Sequence, residues 1–571
     1  MPAWLITLDR YFPLRYATWL LSAMGLMLFA FTWMGFGIGA LAALVCGLLA
    51  VVGVHDVTQR RHAVLRNYPV IGHLRFLLEF IRPEIRQYFI EADGEATPFS
   101  RQQRSLAYQR AKGEPDKQPF GTQLDVQAAG YEWINHSIAP TSIASHDFRV
   151  LIGDGGSSCT QPYAASIFNI SAMSFGALSA NAILALNGGA RRGGFAHDTG
   201  EGSISAHHRV HGGDLIWEIG SGYFGCRNDD GSFNEERFVA NALDPQVKMI
   251  ELKLSQGAKP GHGGVLPGPK VTAEIAAARG VPIGVDCVSP ARHGAFGTPA
   301  EMMHFIERLR RLSGGKPTGF KLCIGHPWEW FGIVKAMLET GILPDFIVVY
   351  GAEGGTGAAP VEFTDHVGSP LQEGLLLVHN TLVGLNLRQR VRIGCAGKIV
   401  SAFDIARLLA LGADWCNAAR GFMFALGCIQ AQSCHTGQCP TGVTSQDPMR
   451  QKALVVGDKT ERVWRFHDNT LMALKELVQA AGLDHPDQIS ADHIMRRASD
   501  HEVQVLTDML HIVQPVALLA AIEGNGPWPF KVFEQYWPLS RSDSFQAARS
   551  DPLQAVGGAL SMKLGRAASL S

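Results

Sequence analysis

Between residues 166 and 418 short apolar runs alternate with helical patterns, and this alternation restricts the fold more than any other feature of the chain. The candidate strands are residues 166–171, 194–197, 247–253, 283–288, 319–324, 346–350, 391–394 and 415–418. Helix-like stretches fall between them, for example 181–192, 271–279, 299–312, 329–339 and 402–411. Eight strand–helix units in about 250 residues are what a closed, parallel (β/α)8 barrel of the TIM type requires. An open doubly wound sheet is the alternative. It normally carries a Gly-x-Gly-x-x-Gly turn after its first strand, and none stands there. The spaced glycines Gly35, Gly37 and Gly39 lie in a different, wholly apolar region.

That region runs from Tyr16 to Val54 without a charged residue, 39 positions in all. One spanning helix takes roughly 20 apolar residues, so the run predicts two transmembrane helices with a turn near Gly35–Gly37. A secretory signal has a much shorter apolar core. A buried hairpin of a soluble protein is the other reading, but a soluble core seldom runs this far without one charge. Arg10 and Arg15 precede the run, Arg60 and Arg61 follow it, and the turn has no positive charge. Both flanks are therefore expected on the cytoplasmic side of an inner membrane, with the catalytic domain facing the cytoplasm. The expected organisation is a membrane hairpin over 1–55, a polar helical connector over 56–150, the barrel over 151–480, and a helical C-terminal extension over 481–571 ending in a disordered Ser/Ala-rich tail. The connector has amphipathic stretches such as 73–82, which can rest on a membrane or clasp the barrel.

With 50 basic and 51 acidic residues the chain has no electrostatic footprint for nucleic acid. Ten cysteines in 571 residues are too few for a disulfide scaffold, and three of them are bunched. That distribution predicts a reducing compartment and one cofactor site.

In a barrel the chemistry lies at the C-terminal ends of the strands. The seventh and eighth ends read Gly394-Cys395-Ala396-Gly397-Lys398 and Asn417-Ala418-Ala419-Arg420-Gly421, small residues that let backbone N–H groups approach an anion, with Arg420 adding charge. The sixth end, with Gly354, Gly355, Thr356 and Gly357, is a third glycine-rich turn at the same mouth. Tight turns alone explain any one of these loops; the three together predict a phosphate-bearing cofactor. Lys253 and Lys321 end apolar strands, where an ammonium can stabilise the pyrimidine edge of a reduced flavin, although a solvated lysine is the plainer reading. Glu201, and Lys259 in the run Gln256–Gly261, are candidates for binding or protonating a substrate.

Cys428-x5-Cys434-x4-Cys439-Pro440 places three thiols within a dozen residues, before a proline. This suits an iron–sulfur ligand set lacking a fourth cysteine, such as [3Fe–4S]. Zinc would need a fourth donor, for which His435 is available, but the C-x2-C knuckle common in zinc sites is missing.

These motifs, in their order, resemble the FMN-binding synthase domain of the glutamate synthases over about residues 150–480. The resemblance rests on Ser171-Ala172-Met173-Ser174-Phe175-Gly176-Ala177-Leu178-Ser179, Gly200-Glu201-Gly202, Gln256–Gly261, Leu266-Pro267-Gly268, Gly354–Ala358 and the three cysteines. It implies an FMN barrel with a [3Fe–4S] cluster that reduces 2-iminoglutarate, formed from 2-oxoglutarate and ammonia, to L-glutamate. By the same resemblance Ser171, Ala172, Met173, Ser174, Lys253, Gln256, Lys321 and the glycine loops hold FMN. Glu201 and Lys259 sit on the substrate side, and Cys428, Cys434 and Cys439 bind the cluster. The hairpin and connector look like a membrane-attached branch of these proteins. Two departures fall on the substrate side and one before the phosphate. Gly261-His262-Gly263-Gly264 replaces the family's Gly-Glu-Gly-Gly, and Ser289-Pro290-Ala291-Arg292-His293-Gly294 replaces Ser-Pro-Pro-Pro-His-His. Cys395-Ala396-Gly397 also replaces an Asp-Gly-Gly.

The chain begins Met1-Pro2 and its first cysteine, Cys46, lies in the apolar run, so no glutaminase nucleophile is expected. Ammonia or another amine then comes from solution or a partner. No nicotinamide fingerprint stands in the sequence either, so a ferredoxin-like protein, a reductase subunit or a membrane carrier must supply electrons. Two other readings share the cofactors: an N-alkylglutamate synthase using a primary amine, and a membrane-tethered FMN/Fe–S electron-transfer module.

Overall fold

The computed structural model describes residues 14–59, 63–92 and 98–548. The Ser/Ala-rich tail and Arg10, Arg60 and Arg61 lie outside them. The chain divides into two compact units, residues 1–95 and 96–571.

The first unit is built on a helical hairpin, α1 (Ala17–Phe36) and α2 (Ala40–Thr58), each long and apolar enough to cross a membrane. Gly37 and Gly39 carry the turn at φ +70° and +96°, a conformation that glycine alone adopts without strain. Small residues bring the helices close. A Cβ on Gly53 would come within 2.0 Å of the Trp19 ring, and one on Gly25 within 2.8 Å of Cys46 Sγ. Leu21, Met24, Met27, Leu41, Leu48 and Val51 point outward and are exposed. After the short helix Ala63–Asn67 comes a longer one, α3 (Gly72–Ile85).

The second unit is organised by a closed, eight-stranded parallel barrel. Its strands are β1 (Phe168–Ile170), β2 (His197–Asp198), β3 (Leu215–Ile219), β4 (Val247–Lys253), β5 (Thr318–Leu322), β6 (Phe346–Tyr350), β7 (Arg392–Ala396) and β8 (Trp415–Ala418), each paired with its neighbour and β8 closing on β1. Glycine makes room at tight points of the wall. A Cβ on Gly319 would lie 2.1 Å from Phe346 O, and one on Gly394 would lie 2.4 Å from the Trp415 indole.

The TIM-type barrel expected from the alternation is present, with one strand exchanged. Residues 283–288 do not enter the wall. Within them Cys287–Val288 forms a small antiparallel pair with Val265–Leu266, inside the crossover from β4 to β5. Ile283, Val285 and Val288 are more than half exposed, so within this run only Cys287 faces the core. The missing wall strand is β3, whose Leu-Ile-Trp-Glu-Ile sequence carries a carboxylate at Glu218.

Segments on both sides of the barrel fold onto it. Helix α4 (Arg101–Lys112) begins with a capping box between Ser100 and Gln103. Glu132–Ile134 forms an antiparallel sheet with Ile494–Arg497, which pairs in turn with Val503–Val505, so the C-terminal extension is not purely helical. On the barrel's outer ring α5 (Ala180–Gly193) meets a long C-terminal helix, Val456–Ala480. A Cβ on Gly189 would stand 2.3 Å from Val463 Cγ1. Gly189→Val should therefore cost about 1–3 kcal/mol by overpacking, seen as a lower urea midpoint with an unchanged m-value.

Candidate functional site

A cavity of about 420 Å3 opens where the C-terminal ends of the strands converge. Of the residues singled out from sequence it gathers Ala172, Met173, Ser174, Glu201, Lys253, Gln256, Lys259, Lys321, Gly355, Thr356, Gly357, Ala419, Arg420 and Cys434. Ser171 stands just behind the wall, its hydroxyl 2.6 Å from the Tyr350 hydroxyl. Gly354, Gly394, Ala396 and Gly397 do not line it. At that corner Glu353 folds inward, and its carboxylate accepts the Leu371 N–H at 3.1 Å. A Cβ on Gly351 would collide with that side chain at 2.3 Å, so part of the glycine-rich corner accommodates a buried helix cap. Arg420, the first residue of α6 (Arg420–Leu426), donates to Thr356 O at 2.7 Å and closes over Gly355.

The Glu201 side of the cavity grows from β2 and β4. Gly200 sits at φ +64°, where a Cβ would lie 2.7 Å from Ser174 N, so the turn carrying Glu201 demands glycine. Lys253 Nζ donates to Glu201 Oε2 at 2.9 Å and to Gln256 Oε1 at 2.8 Å. Burial opposes ionisation of Glu201, but the Lys253 ammonium outweighs it, with Arg279 and Lys259 adding to the effect, and holds the carboxyl below its ordinary range. Burial lowers Lys259 below the usual lysine value, against the pull of Glu201.

Beneath this pair lies a layer the sequence did not announce. Lys321 Nζ donates to Glu218, lies 3.0 Å from Glu251 Oε2 and 3.9 Å from Asp198 Oδ2, and all four side chains are buried. Glu218 also stands 3.8 Å from Lys253 Nζ, linking the two levels. Three carboxylates around one ammonium in a dry interior cannot all ionise cheaply. Burial, reinforced by Asp198, holds the Glu251 carboxyl well above its ordinary value. Asp198, Glu218 and Glu251 also bring ligand atoms within 4.8 Å of one another, but Lys321 supplies the cation of the group.

The three cysteines surround one small pocket, together with Thr441 and Thr444, and Cys434 and Thr444 also line the main cavity. Among the described residues the three cysteine sulfurs do not all lie within 4.8 Å of one another. Thr444 Oγ1 is buried at this shared wall. Burial pushes the Cys428 thiol up to about 11. At Cys439 burial acts the same way, but hydrogen bonds from Thr441 and Thr444 prevail and favour the thiolate. Lys270 Nζ donates to Cys434 O at 2.7 Å and to Thr444 O at 3.2 Å, placing an ammonium between the two pockets.

Sequence reasoning missed Glu218, Glu251, Lys270, Arg279 and Tyr350. A carboxylate inside an apolar strand, as at Glu218 and Glu251, was the available signal. Arg279 lines the cavity from the end of a short helix, and its Nε has no partner. Of the substrate-side departures, His262 lines the cavity and Arg292 does not. His293 is buried, 2.8 Å from Lys253 O, and burial moves its ring down to about 4. Cys395 is sealed in β7, 3.7 Å from Cys416.

A parallel barrel with a cationic, glycine-walled cavity at its C-terminal mouth is the build of a barrel enzyme acting on anionic ligands. The conserved region of glutamate synthase matches residues 157–484. Glutamate synthase large subunit-like protein YerD of Bacillus subtilis is 37% identical over 521 residues, 83% of this chain and 98% of that protein. The archaeal-type glutamate synthase (NADPH) of Thermotoga neapolitana is 36% identical over 336 residues, 58% of this chain and 63% of that protein, so its match spans less than two thirds of the relative. The chain belongs to the glutamate synthase family and is an oxidoreductase of that type.

Two substitutions test the buried layer. Lys321→Met leaves three carboxylates without their ammonium and should cost about 3–5 kcal/mol, measured by chemical denaturation. Glu251→Gln should be tolerated. A folded-state value raised above 4.5 gives a contribution that is complete below that pH and is lost as pH rises toward the folded value. The Glu251→Gln variant should lack this decline in a stability–pH profile.

Proposed function

We propose that the protein catalyses glutamate-synthase-type reductive amination, converting 2-oxoglutarate through 2-iminoglutarate to L-glutamate with FMN and an iron–sulfur cluster. The observation that carries this reading is the shared wall: Cys434 and Thr444 belong at once to the barrel-mouth cavity and to the three-cysteine pocket. A redox centre held by the cysteines would stand directly beside a cofactor in the cavity.

The residues present fit both groups. The cavity falls within the usual range for cofactor sites, roughly 300–1,000 Å3, and carries Arg420 beside Gly355 and Thr356 for a phosphate. Lys253, Gln256 and Lys321 also line the cavity and would serve the flavin's polar edge. Cys428, Cys434 and Cys439 suit a polynuclear cluster with three protein thiolates, such as [3Fe–4S]. Bound there, FMN supplies hydride to the imine carbon and the cluster supplies electrons singly from an outside donor.

The chain's own groups divide the remaining work. Arg279 and Lys259 present positive charge to a dicarboxylate. Glu201, kept ionised by Lys253, orients Lys253 and offsets the cationic wall. Lys259, whose ammonium burial has made more acidic, is the proton donor to the substrate. The outward apolar surfaces of α1 and α2 favour a membrane-anchored enzyme, and the positive flanks favour a cytoplasmic barrel. The electron donor is external, a ferredoxin-like protein or a reductase subunit.

The test is the purified full chain: its visible spectrum should show flavin and cluster together, and with reduced ferredoxin, 2-oxoglutarate and ammonia it should form L-glutamate. Product with methylamine in place of ammonia would favour N-alkylglutamate synthesis. Flavin that no oxo acid with amine reoxidises would leave an electron-transfer module. Lys259→Met should lower kcat about 10²–10⁴-fold. Because the lysine value is lowered, the ammonium is lost as pH rises through it, and Lys259→Arg should shift the basic limb of the pH–rate profile upward. Cys434→Ser should abolish cluster absorbance and donor-driven turnover while flavin absorbance stays.

A further inference from the structure

The first compact unit holds a surface that the catalytic reading does not use. Helix α3 continues into a π-helical turn at Arg86–Ile90. Arg75, Glu79, Arg82 and Arg86 follow one another at four, three and four residues, so they form a single stripe along the helix. This stripe and Leu78, Ile85 and Ile90 line an open groove of about 670 Å3, in which Arg75 Nε donates to Glu79 Oε1 at 3.1 Å. Beside the groove apolar side chains face outward: Phe80 is 79% exposed, Phe89 85% and Ile90 69%.

The start of α3 is tied to the foot of the hairpin. Asp56, near the end of α2, accepts the Val70 N–H at 2.9 Å and lies 2.9 Å from His73 Nε2. Thr18 Oγ1, near the start of α1, donates to Pro69 O at 2.9 Å. These bonds set α3 at the end of the hairpin that holds both chain flanks. A helix fixed there, with a charged stripe and a broad apolar face, has the pattern of a segment lying in a bilayer interface. Arginine on such a stripe is matched to phosphate by its planar fork of donors.

We propose that α3 and the turn after it lie in the headgroup layer of the bilayer spanned by α1 and α2, with phospholipid phosphates paired to Arg75, Arg82 and Arg86 in the groove. The proposal rests on the membrane-spanning reading of the hairpin. The charges between 72 and 90 nearly balance, three arginines against Glu79 and Glu84, so apolar insertion holds the helix and the arginines select the phosphate layer.

The experiment uses the full chain reconstituted in vesicles of phosphatidylethanolamine and phosphatidylglycerol. The vesicles carry a photoactivatable phospholipid with its reactive group either in the headgroup or at the acyl end, and labelled peptides are located by mass spectrometry. The acyl-end probe should label residues 17–36 and 40–58, and the headgroup probe residues 72–90. Arg75→Glu, Arg82→Glu and Arg86→Glu combined should reduce headgroup labelling of 72–90 at least about fivefold, with hairpin labelling unchanged as the control for folding. A labelled hairpin with unlabelled 72–90 overturns this proposal alone, and so does labelling of 72–90 that survives the charge reversals. A hairpin that the acyl-end probe does not reach overturns the membrane reading itself.

Discussion

The catalytic unit depends on one buried ammonium. Lys321 reaches into the barrel from β5 and meets carboxylates from β2, β3 and β4, so four adjacent strands share a single ion cluster. Charges in such a place are tolerated only when paired, which makes the lysine a condition of the register as well as an occupant of the core. Glu218 then passes the constraint upward to Lys253, and Lys253 holds Glu201 and Gln256 at the mouth. The shape of the candidate site is thus set from below by electrostatics.

A second constraint comes from the chain around the barrel. Tyr108 in α4 donates to Cys428 O at 2.6 Å, and Gln430 donates to Phe99 O at 3.1 Å, so the segment before the barrel braces the three-cysteine loop after it. Phe99 packs edge-on against Phe424 of α6 at 5.3 Å. The loop also sits against Lys270 from the β4–β5 crossover. Three distant parts of the chain therefore converge to hold a loop that has almost no regular structure of its own. Such support fixes the position of the three thiols.

Much of this was legible in the linear chain. The strands at 346–350 and 415–418 were apolar or nearly so, 247–253 kept an apolar pattern despite Lys248, Glu251 and Lys253, and all three formed as read. The run at 283–288 misled because periodicity reports apolarity, and only burial distinguishes a wall strand from an exposed hairpin. Leu215–Ile219 was passed over, although its Glu218, like Glu251 in a strand that was read, finds a lysine in space. The glycine-rich strand ends were partly ambiguous. Gly355 and Gly357 face the cavity, whereas Gly394 yields to Trp415 and Gly397 lies against Leu371 and Glu353.

By itself the sequence determined the kinds of parts: an apolar pair of helices, an eightfold strand–helix repeat, cationic strand ends and three closely spaced thiols. Those properties are local, because period, charge and spacing are properties of neighbouring residues. Only the tertiary structure decided which groups share a space. Closure of the barrel brings Asp198, Glu218 and Glu251 around Lys321, and folding of the crossover and the cysteine loop gives the cavity and the thiol pocket a common wall at Cys434 and Thr444. Such contacts join residues tens to hundreds of positions apart, and their energies depend on burial and pairing that no local pattern records.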